Sequence, residues 1–194
     1  MKHILTFIFI AFVTSAMAQS YTQEIKKYQE EYRTNYLGKE SPFSKEEKKK
    51  YKLTSYFPIQ EKYMVEVAYR ELEKKDTLLF LTSKGTEVAY IRYAELKFDI
   101  DGNAYTLFAY QNVKMAKSKD YNGYLFLPFK DLTSGESTYG GGRYLDFSIP
   151  KDDKVYIDFN KSYHPYCAYS DRFYCPVVPQ ENWLKVPIES GVRL

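Results

Sequence analysis

The chain is short of the residues from which most catalytic sites are assembled. It has two histidines, two cysteines and one tryptophan in 194 residues. One histidine, His3, falls in the leader discussed below, so His164 is left alone. That excludes a zinc site built from several histidines and makes any Ser-His-Asp triad depend on this one ring. No GxSxG elbow, HExxH pair or glycine-rich dinucleotide fingerprint occurs. Neither a metal nor a cofactor is expected. Charge of one sign is also scarce: without Lys2 the balance is 27 basic to 25 acidic residues, a net of +2. Nothing in it asks for nucleic acid. Internal repeats and long low-complexity linkers are absent.

What is present begins with MKHILTFIFIAFVTSAMA. A basic start at Lys2, an apolar run from Ile4 to Val13 and the small-residue signal Ala16-Met17-Ala18 form the pattern of a secretory leader. The run is shorter than the roughly 20 residues a membrane span needs. No cysteine follows it to take a lipid. The expectation is an exported protein, periplasmic or secreted, with no membrane anchor after cleavage. Residues 1–18 are then signal peptide, and residues 19–194 form a single β-rich domain with an N-terminal helix.

Aromatic residues are abundant, with 21 Tyr and 13 Phe. Tyrosine favours strands and suits surfaces that are apolar at the ring and wet at the hydroxyl. In the first segment Tyr21, Ile25, Tyr28, Tyr32 and Tyr36 recur at helical period, and Gly38 is placed to end the run. Ser44 and Glu47 have capping-box spacing for a second, short helix. From Lys62 the period changes to alternation. Strand-like runs cover Tyr63 to Leu72, Thr77 to Leu81, Val88 to Tyr93, Leu96 to Ile100, Ala104 to Tyr110, Tyr124 to Pro128, Arg143 to Ile149, Lys154 to Phe159 and Trp183 to Ile188. Asp101-Gly102 reads as a type I′ hairpin turn, and Lys151-Asp152-Asp153 as another short turn. Connections this short allow antiparallel neighbours and no crossover helices. The predicted fold is mainly β, an antiparallel meander curled into a sandwich or barrel with an N-terminal amphipathic helix packed on it.

The densest stretch starts at Tyr124 and contains "STYGGGRYLDF", then "DFNKSYHPYCAYSDRFYCPVVPQENWL". These strings, with "SPFSKEEKKKYKLTSYFPIQEKY" upstream, resemble the bacterial and archaeal family called domain of unknown function 1684. Its members carry "PF.D.T.G..TYGGGRYLD" and "DFN.AYNP.CAY....CP.PP.EN.L". The chain departs from that pattern at His164, where the family usually has asparagine, and at Glu189-Ser190-Gly191. The resemblance implies a shared fold and surface, with no established activity. It carries over the motif residues Thr138, Tyr139, Arg143, Tyr144, Asp146, Asp158, Asn160, Tyr163, Cys167, Cys175, Glu181 and Asn182.

The three glycines do not make a P-loop, since Arg143 and a strand follow where a lysine, a hydroxyl residue and a helix are required. Two readings stand. In the favoured one, bare backbone lets a tyrosine ring lie against it in a bulged turn; in the other, N–H groups and Arg143 make a nest for a carboxylate or phosphate. Along the strands, Tyr144 and Asp146 share one face and Tyr156, Asp158 and Asn160 another. A tight hairpin at Lys151 to Asp153 would make them neighbours, either as a satisfied network or as the lining of a cleft. His164 precedes Pro165 and is expected at a turn or on the surface, not as a catalyst. Cys167 and Cys175, eight positions apart, are expected to pair in an oxidising compartment; buried thiols or redox use are the alternatives.

The expected function is a binding module for a small polar or anionic ligand, including a glycan fragment. Its site would draw on Tyr139, Arg143, Tyr144, Asp146, Asp158, Asn160, Tyr163, Glu181 and Asn182. A hydrolase using strand-borne carboxylates such as Asp158 is one alternative, and requires two acids about 5 to 9 Å apart. An envelope structural or interaction domain is the other.

Overall fold

The computed structural model describes residues 19–194 in full; of residues 2–18 it gives only their membership of helix α1 (Lys2–Leu37). The export signal read at residues 1–18 lies outside the fully described part. Two compact units divide the chain, Met1–Lys48 and Lys49–Leu194.

In the first unit the helical period holds as read. Tyr28, Tyr32 and Tyr36 stack along α1 with ring centroids 5.6 and 5.3 Å apart, and Phe43 meets the Tyr36 ring edge-on at 5.3 Å. Gly38 stops the helix, its N–H closing on the Thr34 carbonyl. Helix α2 (Lys45–Tyr51) opens with the expected reciprocal cap: Glu47 N–H donates to Ser44 Oγ, and Ser44 N–H donates to Glu47 Oε2 at 2.7 Å.

The second unit is antiparallel β. Its strands are β1 (Ser55–Tyr56), β2 (Met64–Glu71), β3 (Thr77–Leu81), β4 (Glu87–Ile100), β5 (Asn103–Asn112), β6 (Tyr124–Phe129), β7 (Arg143–Ser148), β8 (Val155–Asp158) and β9 (Val192–Arg193). The main sheet runs β7-β6-β5-β4-β2-β8, with β3 beside β4, while β1 and β9 form a separate ribbon. This order curls into a nearly closed barrel. The alternative of a sandwich is set aside.

The β4–β5 turn has positive φ at both Asp101 (52°) and Gly102 (80°), as a type I′ turn demands. Two predicted strands, Val88 to Tyr93 and Leu96 to Ile100, are one strand interrupted by a bulge between Arg92 and Ala94. The bulge shifts the alternation by one, so that the two halves of β4 bury opposite faces. Ala94, Leu96, Phe98 and Ile100 join Leu107, Leu125, Leu127, Leu145 and Ile157 inside the barrel. Tyr90 instead joins Phe80, Tyr110, Phe126, Tyr144 and Val178 on the outer side. β6 is buried on both faces for this reason. The last predicted strand, Trp183 to Ile188, is not one: it meets the chain only through a parallel bridge between Lys130 and Trp183 and scattered bonds beyond it.

One predicted pairing also fails. Lys151 to Asp153 do not close a hairpin, because β8 pairs with β2 from Met64↔Asp158 to Val67↔Val155, while β7 pairs with β6. The barrel therefore stays open between two strands that follow each other in the chain.

Candidate functional site

Arg143, the residue best suited by sequence to receive an anion, is 0% exposed. Its guanidinium is filled from within. One terminal nitrogen donates to the carbonyls of Ser190 and Val192 and to Ser162 Oγ; the other donates to the Ile188 carbonyl at 2.8 Å, to Thr133 Oγ1 and to Asp131 Oδ2 at 3.3 Å. Asp131 is equally buried and also accepts from Ile188 N–H at 2.7 Å. Burial pulls the Arg143 pKa down while Asp131 opposes it. Asp146, Asp158 and Glu181 have no part in this, and the buried guanidinium serves as a structural clamp.

The glycines serve the same architecture. A Cβ on Gly141 would meet the Tyr139 ring; Gly142 has φ of +94° and a Cβ there would sit 2.6 Å from the Phe129 carbonyl. The tyrosine ring therefore does lie on bare backbone. Tyr139 N–H donates to His164 Nε2 at 3.2 Å, and His164 Nδ1 is 3.0 Å from the Tyr169 hydroxyl. Contrary to expectation His164 is buried, 1% exposed. Desolvation and the nearby Arg143 charge lower its pKa to about 3.

The two asparagines act as surrogate peptide groups. Asn182 accepts from Phe108 N–H and donates to the carbonyls of Phe108 and Pro128, stitching β5 to β6. Asn160 accepts from Gln60 N–H and donates to the Gln60 carbonyl. Both are wholly buried. Glu181 holds Tyr110 Oη at 2.6 Å and Arg92 at 2.8 Å, and the Tyr144 hydroxyl donates to the Pro176 carbonyl. Cys167 and Cys175 are joined as a disulfide, with Cα atoms 6.1 Å apart. Among the described residues no group of three or more His, Cys, Asp or Glu is placed to hold a metal ion.

Two of the named residues, the exposed Asp146 and the half-buried Asp158, line the same opening. The gap between β7 and β8 is a slot of about 250 Å³ lined by Asp146, Asp158, Tyr156, Lys161 and Met64, with Leu127, Leu145, Phe147 and Ile157 as its floor. Asp146 Oδ1 accepts from the hydroxyls of Tyr124 and Tyr163, both at 2.8 Å; its Oδ2 has no hydrogen bond among the described residues. Asp158 Oδ1 caps the turn at Asn160, and its Oδ2 lies 3.9 Å from Lys161 Nζ. Tyr144 exchanges both backbone bonds with Tyr163 on the side away from β6. The pleat then turns the N–H and C=O of Asp146 toward the slot. A wider hollow of about 800 Å³ is lined by Glu66, Val67, Ala68 and Tyr69 of β2 and by Pro150 to Asp153 of the β7–β8 connection, and Tyr156 Oη donates to Glu66 Oε2. Sequence reasoning found Asp146 and Asp158. It missed Lys161 and Met64, for which only the pairing of β8 with β2 supplies a signal.

A nearly closed antiparallel barrel, clamped from within by a buried arginine and open between β7 and β8, thus defines the second unit. Residues 49–193 match the family described as "Protein of unknown function (DUF1684)", and the chain belongs to that family. It is similar to an uncharacterised protein of Haloarcula marismortui solved by solution NMR, with 31% sequence identity and a TM-score of 0.70 over 92% of this chain and 97% of that one. No curated protein matches it.

Proposed function

We propose that this is an exported binding module for a small polyhydroxylated ligand, a single glycan ring, taken into the slot between β7 and β8. The observation that carries the proposal is a pair of carboxylates, Asp146 and Asp158, at the rim of a cavity whose floor is the apolar core. A sugar ring has an apolar C–H face and a hydroxyl edge. Leu127, Leu145, Phe147 and Ile157 suit the first, and Asp146 Oδ2 with the backbone of Asp146 suits the second. At about 250 Å³ the slot is smaller than the roughly 300 Å³ at which pockets for drug-sized ligands begin, which matches one ring. Two acids against the single Lys161 leave the rim with a net negative charge that disfavours anions, so the ligand is neutral or cationic, and the anionic ligand expected of Arg143 belongs elsewhere. Binding is preferred to hydrolysis because each carboxylate has one oxygen committed to holding the fold. Export rests on the sequence of residues 1–18 and accords with the disulfide, which oxidising compartments sustain.

Protein-observed NMR titration with glucose, galactose, N-acetylglucosamine and glucosamine tests it. Saturable shifts are expected at amides of β7, β8 and Lys161 for at least one sugar, weakened about fivefold or more by Asp146→Asn. A panel that moves no slot amide overturns the proposal.

A further inference from the structure

A second surface has the opposite charge. The parallel bridge between Lys130 and Trp183 is made by Lys130 N–H donating to the Asn182 carbonyl and Leu184 N–H donating to the Lys130 carbonyl at 2.7 Å. Side chains alternate along both segments. Asp131, Asn182 and Leu184 turn inward, while Leu132 and Trp183 stand 57% and 42% exposed. Between them lies a concavity of about 210 Å³ bordered by Lys130, Leu132, Ser134, Trp183 and Lys185. The indole is fixed by its Nε1–H, which donates to the Val178 carbonyl at 3.3 Å. Lys130 Nζ is 4.8 Å and Lys185 Nζ 5.9 Å from the ring centroid. Asp131, the one carboxylate in the lining, is neutralised by Arg143, and neither lysine has an ion-pair partner among the described residues.

The arrangement therefore offers two uncompensated ammonium groups beside an exposed aromatic and aliphatic surface. We infer that it is a binding site for acidic sugars, taking an oligosaccharide of uronic acids. The C–H face of a pyranose packs on Trp183 and Leu132, and its carboxylates meet Lys130 and Lys185, whose unbranched stems swing to follow the ligand. An anionic membrane would use the same charges, but two apolar side chains bordering a concavity do not project into a bilayer. The site shares no residue with the slot and selects the opposite charge, so it stands or falls independently.

Trp183 is the only tryptophan in the chain, which makes its fluorescence a direct reporter. The whole protein is titrated with trigalacturonate, with neutral maltotriose and with vesicles containing phosphatidylglycerol. The double variant Lys130→Gln/Lys185→Gln is run beside it after circular dichroism confirms its fold. Trigalacturonate is expected to give a saturable change, with affinity reduced at least tenfold in the variant and reduced by added salt; maltotriose is expected to give none. Absence of a saturable change, an equal response to maltotriose, unchanged affinity in the variant, or a response to the vesicles without one to trigalacturonate would each overturn the inference.

Discussion

Replacing Arg143 by methionine keeps much of the side-chain volume and removes the charge, so its cost isolates the clamp. The loss falls on two sets of partners. Asp131 is left as a buried carboxylate without its cation, and the carbonyls of Ile188, Ser190 and Val192 lose their donor. Breaking a buried ion pair from one side costs about 3 to 5 kcal/mol. Against a total stability of about 5 to 15 kcal/mol this is a large fraction. For a chain of this size it lowers the unfolding midpoint by roughly 6 to 20 °C. Arg143→Lys is expected to recover only part of the loss: lysine has one nitrogen, and the two terminal nitrogens of Arg143 serve different partner sets. Adding Asp131→Asn to Arg143→Met removes the stranded charge, so the double variant should be more stable than Arg143→Met alone. Urea unfolding at neutral pH measures all three. An Arg143→Met variant within about 1 kcal/mol of wild type, together with a wild-type midpoint raised by phosphate or citrate, would refute the clamp and restore a ligand role to the guanidinium.

His164 sets a pH dependence. Its folded pKa of about 3 lies below the ordinary 6.5, so the unfolded chain takes up the proton first. This contribution is intact above pH 6.5 and is lost as pH falls toward 3, about 2 kcal/mol of it by pH 5. His164→Gln, which keeps an acceptor for Tyr139 N–H, should flatten the fall in urea midpoint between pH 6.5 and 5; an unchanged slope would assign it to other groups. Gly142→Ala should cost more than 1 kcal/mol, from a positive φ and the Phe129 carbonyl in the way; thermal unfolding unchanged within a degree would contradict the backbone geometry. Cys167→Ser/Cys175→Ser opens a loop of about nine residues and should cost about 2.5 kcal/mol in the chain-entropy picture. Thiol titration of denatured, unreduced wild type should find no free sulfhydryl; two per chain would contradict the disulfide.

What was legible in the sequence is what local rules determine. The Ser44–Glu47 cap, the Asp101-Gly102 turn and the alternating runs between Tyr63 and Phe159 each announce themselves within a few residues and stand in the structure, whereas the run from Trp183 to Ile188 does not. What was hidden depends on distant partners. Lys151 to Asp153 look like a hairpin turn, yet β8 finds β2 about ninety residues earlier. Arg143 reads in the sequence as a candidate for an anion nest, when Asp131 reaches it because the 129–143 segment folds back on itself. His164 looked external because a proline follows it; its burial comes from Tyr139 and Tyr169, which take both ring nitrogens. The bulge at Tyr93 left no composition signal, and it alone decides that Tyr90 and Ala94 face different cores.

These hidden contacts share a physical logic that bears on where a ligand can bind. A barrel must satisfy backbone groups wherever its strands run out. Here side chains do that work: Asn182 completes the ladder beside Phe108, Asn160 completes it beside Gln60, and Arg143 gathers the three carbonyls of the closing segment. The polar residues that look most like an active site in the sequence are those whose removal would leave backbone unsatisfied. Function is better sought where this closure is not made. β7 beyond Tyr144 is such a place, since Asp146 keeps a carboxylate oxygen and its backbone groups directed into an opening with an apolar floor. A glycan ring bridging β7 and β8 would supply the hydrogen bonds that the missing strand pairing does not.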